Sequence, residues 1–386
     1  MRTILTVLFL GLGVLTGPVA AFETAAKSAI VLDVGTDQTL MEKNADMALP
    51  PASMSKLMTL NMVFEALEDG RLSLDQILPV SQRAAAYGGS SMFLTDQDRV
   101  SVEDLIRGVV VLSGNDASAV LAEAVSPDGT ERGFAQMMTR RAEQLGMTNS
   151  VFANSNGWPA PAHRMSMRDL AVLAKRLITE FPQYYGYFAE TEFEFDGRVP
   201  DNRFNRNPLL DLNIGADGLK TGHTQEAGYG LVGSAIQGNR RIVFVLSGLD
   251  TERARAEESE RIANWAFRQF AEKQLSEEGI VIAEADVWMG QASRVGMATT
   301  KDVSILIPIL DREGVNAKIT YESPILAPIE AGDKVAELIV SVPGLSDATH
   351  TLIATETVPR GGFVVRIRTA ASALLKQLTG QAASYF

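Results

Sequence analysis

The chain of 386 residues is 46% hydrophobic, carries a formal net charge of -12, and contains no cysteine and three histidines. That length and apolar content suffice for one large globular domain plus a smaller one, and the acidic balance lacks the basic stripe by which nucleic acid is bound, so no nucleic-acid partner is expected. Absent cysteine excludes disulfides, thiolate metal sites and cysteine nucleophiles, and three histidines make a poor basis for a metal centre, so neither metal nor cofactor is expected.

Residues 1–3 form a short basic start, residues 4–15 are almost wholly apolar, and Val19 and Ala21 have the spacing of a signal-peptidase site. Residues 1–21 therefore read as a cleaved export leader, the apolar run being shorter than the ~20 residues a membrane span needs. Export places the mature chain, from about Phe22, in the periplasm. Residues 29–33 and 39–42 read as a hairpin joined through Gly35-Thr36-Asp37, and Pro50-Pro51 stops it before a helical pattern at Leu57, Leu60, Phe64 and Leu67. Residues 88–94 form a glycine and serine cluster read as a loop or short strand. Helices follow over residues 102–111, 117–125, 134–145 and 167–178, with a dense turn cluster at residues 154–161 before the last of them. Residues 193–195 are a strand candidate, residues 229–236 and 241–246 are strands joined at Gly238-Asn239, and residues 253–274 close the unit as a helix with Ile262, Trp265, Ala266 and Phe270 on one face. The order predicts an α/β domain of the α+β kind over residues 22–274, an antiparallel sheet completed by both ends and flanked by helices, with a helical subdomain.

Residues 275–359 change character. Short alternating segments at 281–289, 304–309, 317–321, 334–342 and 350–355, separated by Gly, Pro and Asp turns, predict a small all-β domain. In the tail, residues 360–386, there is no acidic residue, and Phe363, Ile367, Ala371, Leu374, Leu375 and Leu378 share one helical face beside Arg360, Arg366, Arg368 and Lys376. Such a helix can lie on an anionic membrane surface, each basic residue adding about 1 kcal/mol, or it can pack on the β-domain.

The chemistry centres on Ala52-Ser53-Met54-Ser55-Lys56. Residues i and i+3 share a helix face, so Ser53 and Lys56 can touch. A lysine can take the serine's proton only if burial and nearby positive charge bring its pKa towards neutrality. Alone, the pattern also describes a capped helix start with a solvated lysine. Ser113-Gly114-Asn115 adds a second hydroxyl and an amide, and Lys220-Thr221-Gly222 adds a cation, a hydroxyl and a residue small enough for close backbone approach. Acyl transfer needs such parts: a carboxylate holder, an amide clamp, a proton route and an oxyanion site.

With S-x-x-K, S-x-N and K-T-G in that order, the chain resembles the penicillin-recognising serine enzymes. Pro51-Ala52-Ser53-Met54-Ser55-Lys56, Gly89-Ser90-Ser91-Met92-Phe93-Leu94, Leu112-Ser113-Gly114-Asn115-Asp116-Ala117 and Asp217-Gly218-Leu219-Lys220-Thr221-Gly222-His223-Thr224 make it similar, more narrowly, to low-molecular-mass D-alanyl-D-alanine carboxypeptidases. The resemblance implies a transpeptidase/β-lactamase-like fold, acylation by β-lactams, and removal of the terminal D-alanine from peptidoglycan pentapeptide stems. It further implies Ser53 as nucleophile, Lys56 as base, Ser113 as proton relay and Asn115 as holder of the peptide amide. Lys220 and Thr221 would face the substrate carboxylate, Lys220 would depress the Lys56 pKa, and backbone N–H groups of Ser53 and His223 would form the oxyanion hole. Asn205-Arg206-Asn207 also matches a family motif, so the resemblance implies Arg206 as a further carboxylate contact. Pro208 and the Trp158-Pro159-Ala160-Pro161 stretch depart from the family pattern. A serine β-lactamase shares the three motifs, but residues 113–220 hold no E-x-x-x-N and such enzymes lack the second domain. A non-catalytic peptidoglycan-binding scaffold is the other alternative, and Ser53, Lys56 and Lys220 are intact against it.

Overall fold

The computed structural model describes residues 22–309, 314–363 and 367, together with the backbone of Arg2–Val7. Two compact units emerge, one from Ala21–Gly35 with Thr39–Arg268, the other from Thr36–Gln38 and the chain from Gln269 onward.

In the first unit, strands β1 (Ser28–Asp33), β2 (Thr39–Lys43), β3 (Ala216–Thr224), β4 (Gly228–Gln237) and β5 (Arg240–Leu249) form one antiparallel sheet in the order β2-β1-β5-β4-β3. Both chain ends of the unit meet where β1 pairs with β5, Ala29 opposite Leu246. The longer helices are α1 (Lys56–Glu68), α2 (Val102–Val110), α3 (Asn115–Val125), α4 (Glu131–Gln144), α5 (Met167–Glu180) and α6 (Glu252–Arg268). Several starts are capped by the residue the sequence supplies: Ser101, Thr130 and Ser166 accept from the backbone N–H of Asp104, Gly133 and Asp169, each cap contributing about 1 kcal/mol. Helix α5 packs on β1 and β5 through Leu170, Leu173 and Leu177, sharing a core with Ile30, Val243 and Val245. Side chains alternate faces along a strand, so α6, which also packs on β4 and β5, takes the opposite face. Helix α1 is buried on nearly every side, from Lys56 to Phe64 without interruption, because α3, α4 and α5 surround it.

The second unit carries β6 (Phe270–Ser276), β7 (Val281–Trp288), β8 (Arg294–Thr299), β9 (Val303–Pro308), β10 (Asn316–Glu322), β11 (Ile325–Leu326), β12 (Lys334–Ser341) and β13 (Ala348–Ala354). Strands β6 and β9 pair, while the larger sheet runs β10-β12-β13-β8-β7-β11, with the backbone of Arg2–Val7 antiparallel to β10.

Three expectations change. The closing helix ends at Arg268, and Phe270 opens β6 instead of continuing the helical face, so the second unit starts before residue 275. Residues 193–195 are not a strand: the local pairing is a single bridge between Glu192 and Phe204. Arg294–Thr299 is a strand the alternation did not reveal. The leader assigned to residues 1–21 lies outside the described residues apart from the backbone noted above, and so does most of the 360–386 tail.

Phe64 is fully buried at the centre of the helical core, its ring stacked on Tyr184 at 4.9 Å and flanked by Phe181 and Phe188 at 5.8 and 6.4 Å. Phe64→Ala should cost about 3–5 kcal/mol, read as a lower urea midpoint of the first unit at unchanged slope; an unmoved midpoint would show that this cluster does not hold the core.

Candidate active site

Pro51 leads into a single 3-10 turn, Ala52–Ser55, whose end is the start of α1. Ala52 holds a left-handed φ of +49°, a conformation that costs about 1–3 kcal/mol in a non-glycine residue and gathers at functional turns. The turn is pressed from two sides. A Cβ on Gly222 of β3 would lie 3.0 Å from the Pro51 carbonyl oxygen and 3.2 Å from Ala52 Cβ. A Cβ on Gly157 would lie 1.8 Å from the Ala52 oxygen. The glycine of K-T-G thus allows the edge strand to approach the serine turn this closely.

Within that turn Ser53 is half-buried and Lys56 fully buried. The Lys56 Nζ lies 2.9 Å from Ser53 Oγ, 2.7 Å from Asn115 Oδ1 and 2.7 Å from the Asn156 carbonyl oxygen. Burial moves its pKa from 10.5 to about 7, the charge of Arg206 pushing the same way and that of Asp116 opposing. A neutral amine has two N–H donors and one lone pair. Asn115 and Asn156 take the donors, which leaves the lone pair for the Ser53 hydroxyl.

Ser113 sits in the tight connection between α2 and α3, buried and at φ +58°. Asn115 opens α3, and besides receiving Lys56 it donates Nδ2 to the Gly88 carbonyl at 2.8 Å. Part of its hydrogen-bonding capacity thus ties the 88–94 loop to the site. Asp116, next along, is buried and accepts from Ser91 Oγ and from the backbone N–H groups of Met92 and Leu94 at 2.6, 3.0 and 3.0 Å. That loop is irregular, not a strand.

Lys220 and Thr221 lie buried on β3, which is an edge strand of the sheet, and Lys220 Nζ reaches the Thr221 carbonyl at 3.3 Å. Burial drives the Lys220 pKa well down, with Lys56, Arg206 and Arg255 acting in the same direction. Arg206 thus adds a second cation beside the base, while Lys56 and Lys220 disfavour one another's charged forms. Arg206 is exposed and donates to Ser90 Oγ across the site. His223 is exposed at the outer end of β3, its ring stacked on Tyr229 at 3.9 Å.

Other participants escaped the sequence. Arg255 on α6 is buried, donates to Glu252 at 2.8 Å, lies over the Tyr229 ring, and keeps its Nε buried without a hydrogen-bond partner among the described residues. Its signal was available: an arginine four and seven residues before Ser259 and Ile262, on the buried face of a helix. The Asn156 carbonyl had no signal, since residues 154–161 read only as turns. His163 is buried against Ser55, Nε2 to Oγ 2.7 Å, and burial lowers its pKa to about 4. The ring is neutral there and braces α1 behind Lys56.

A family model described as D-alanyl-D-alanine carboxypeptidase matches residues 16–251, and one described as penicillin-binding protein 5, C-terminal domain, matches residues 270–360. The chain belongs to this carboxypeptidase family. It is 37% identical to the D-alanyl-D-alanine carboxypeptidase DacC of Escherichia coli, over 89% of this chain and 86% of that one. With DacF of Bacillus subtilis it shares 32% identity over 95% and 97% of the two chains. Among solved structures, penicillin-binding protein 5 from Haemophilus influenzae superposes with a TM-score of 0.79 at 32% identity, covering 89% of this chain and all of that one. Penicillin-binding protein D2 from Listeria monocytogenes in its ampicillin-bound form matches 64% of this chain and 98% of that one, with a TM-score of 0.57 at 30% identity. These matches establish a serine-type carboxypeptidase and a mixed domain followed by an all-β one.

Only the neutral Lys56 can accept the Ser53 proton. The rate of acylation by a fluorescent penicillin should therefore rise with pH and reach half its plateau at about 7. Removing the Arg206 charge as Arg206→Gln should move that midpoint upward; a midpoint unmoved or lowered would show that Arg206 does not act on the base.

Proposed function

We propose that this D-alanyl-D-alanine carboxypeptidase acylates Ser53 with the penultimate D-alanine of a peptidoglycan stem and releases the terminal one. The observation carrying this assignment is the contact of Ser53 Oγ with a fully buried Lys56 amine whose other partners take up its N–H donors. Lys56 removes the hydroxyl proton as Ser53 attacks the scissile carbonyl, and the oxyanion forms against the backbone N–H groups of Ser53 and His223. The proton passes through Lys56 and Ser113 to the departing amine. Water then hydrolyses the ester with the same base.

Substrate binding follows from β3 being an edge strand. An extended stem adds along it by main-chain hydrogen bonds, its terminal carboxylate facing Lys220 and Thr221. Asn115 bounds the opposite wall and orients the peptide amide. Arg206 and Arg255 remain charged and supply the positive field. The incoming carboxylate also restores the charge on Lys220, whose burial otherwise disfavours it. A β-lactam enters the same way, its ring amide in place of the scissile peptide.

The proposal extends to location: an exported, periplasmic enzyme held peripherally on the outer face of the inner membrane. The basic and apolar start with its small-residue site supports export. Phe363 and Ile367, exposed four residues apart at the head of the basic tail, support the amphipathic segment.

Ser53→Ala should abolish both D-alanine release from a pentapeptide and labelling by fluorescent penicillin, with an unchanged thermal midpoint; residual labelling would mean another nucleophile. Label lost within seconds from the parent protein would instead indicate β-lactamase turnover. Truncation after Arg360 should free the protein from anionic vesicles without reducing D-alanine release, and undiminished pelleting would contradict the anchor.

A further inference from the structure

Glu131, the first residue of α4, is a carboxylate only 1% exposed that the mechanism above does not use. An ionised carboxyl is costly to bury unless hydrogen bonds replace its water. Four do so. Its Oε2 accepts from the Tyr87 hydroxyl at 2.6 Å and from the Arg83 guanidinium at 3.0 Å, and its Oε1 accepts from the Ser155 backbone N–H at 3.1 Å and from Ser155 Oγ at 2.7 Å. Burial opposes the charge, but the bonds from Tyr87, Ser155 and Arg83 outweigh it and keep the pKa below the ordinary carboxylate value. Glu131 is therefore an acceptor only, and one whole oxygen is given to Ser155.

Ser155 is held at its other end as well. Its carbonyl accepts from Thr59 Oγ1 at 2.5 Å, and Thr59 lies one turn along α1 from Lys56. The next carbonyl in the chain, that of Asn156, receives Lys56 Nζ at 2.7 Å, and the N–H of the same peptide unit, on Gly157, donates to Asn154 Oδ1 at 2.8 Å. Where this carbonyl stands thus depends on where Ser155 is clamped. The consequence for the chemistry lies in the amine, since a neutral lysine has two N–H donors and one lone pair. With Asn115 and Asn156 holding the donors, the lone pair faces Ser53 Oγ. With the Asn156 carbonyl displaced, an N–H is free to turn towards Ser53 Oγ instead, and a donor cannot accept a proton. We propose that Glu131 is a positioning residue for acylation: its Oε1, through Ser155, fixes the Asn156 carbonyl that aims the Lys56 lone pair at Ser53. The proposal rests on the Ser53–Lys56 assignment above.

The test follows labelling of the full chain by a fluorescent penicillin over a range of concentrations, which separates the limiting acylation rate from the half-saturating concentration. Glu131→Ala should lower the limiting rate about 10-fold and keep the half-saturating concentration within about 2-fold of the parent, as expected when reacting groups are misaligned and binding groups untouched. Glu131→Gln should retain more than about a third of the parent rate, because an amide oxygen can accept both Ser155 bonds and the Tyr87 hydroxyl can turn to accept from the amide N–H. Ser155→Ala, which removes one of the two clamping bonds and little volume, should lower the limiting rate about 3-fold, and it decides the matter should Glu131→Ala not fold. An unchanged limiting rate in Glu131→Ala or Ser155→Ala, a loss in Glu131→Gln as large as in Glu131→Ala, or a loss expressed wholly in the half-saturating concentration would overturn the positioning role while leaving the Ser53–Lys56 assignment intact. Labelling of Ser53→Ala at the parent rate would overturn that assignment and the positioning role with it.

Discussion

The site depends on burying an amine without giving it a carboxylate. Leaving a protonated amine in the interior costs several kcal/mol unless it is paired, and among the described residues the hydrogen-bond contacts of Lys56 are Ser53 Oγ, Asn115 Oδ1 and the Asn156 carbonyl. The penalty is relieved by losing the proton, which is the state a base must be in to act. Asp116, near but committed to the 88–94 loop, keeps the pKa from falling further. Much of the first unit follows from this requirement. Lys56 must begin a helix buried on nearly all sides, so α3, α4 and α5 enclose it. Its partners come from α3 and the 150s turn, and Gly157 and Gly222 must lack side chains for that turn and β3 to close on Ala52.

The positive charges divide the labour. Lys56 and Lys220 are both pushed down by burial, whereas Arg206 and Arg255 stay protonated because a guanidinium does not release its proton at any working pH. The charge of Arg206 adds to burial in lowering the Lys56 pKa.

How much of this could be read from the sequence depends on whether the signal is local. Ser53, Lys56, Ser113, Asn115, Lys220 and Thr221 stand out in the sequence because each sits in a short motif at an element boundary, and the structure brings Lys56 into direct contact with Ser53 and Asn115. The main helices and sheet were legible because their apolar periods are strong. The Asn156 carbonyl was not, since a backbone group has no residue type, and the 193–195 strand failed because two phenylalanines in a loop mimic alternation. The closing helix was drawn too long because Phe270 continues its apolar face although the chain has already turned into β6. That Arg206 also acts on Lys56 is a matter of three-dimensional proximity, which motif order does not carry.

The central claim is that the Lys56 pKa lies near neutrality, so that the resting enzyme holds a neutral base in substantial amount. It is tested most directly by NMR titration of the Lys56 side chain in protein carrying 13C-labelled lysine, assigned by comparison with Lys56→Arg. The account predicts a transition at about 7; a transition near the ordinary lysine value of 10.5 would contradict it.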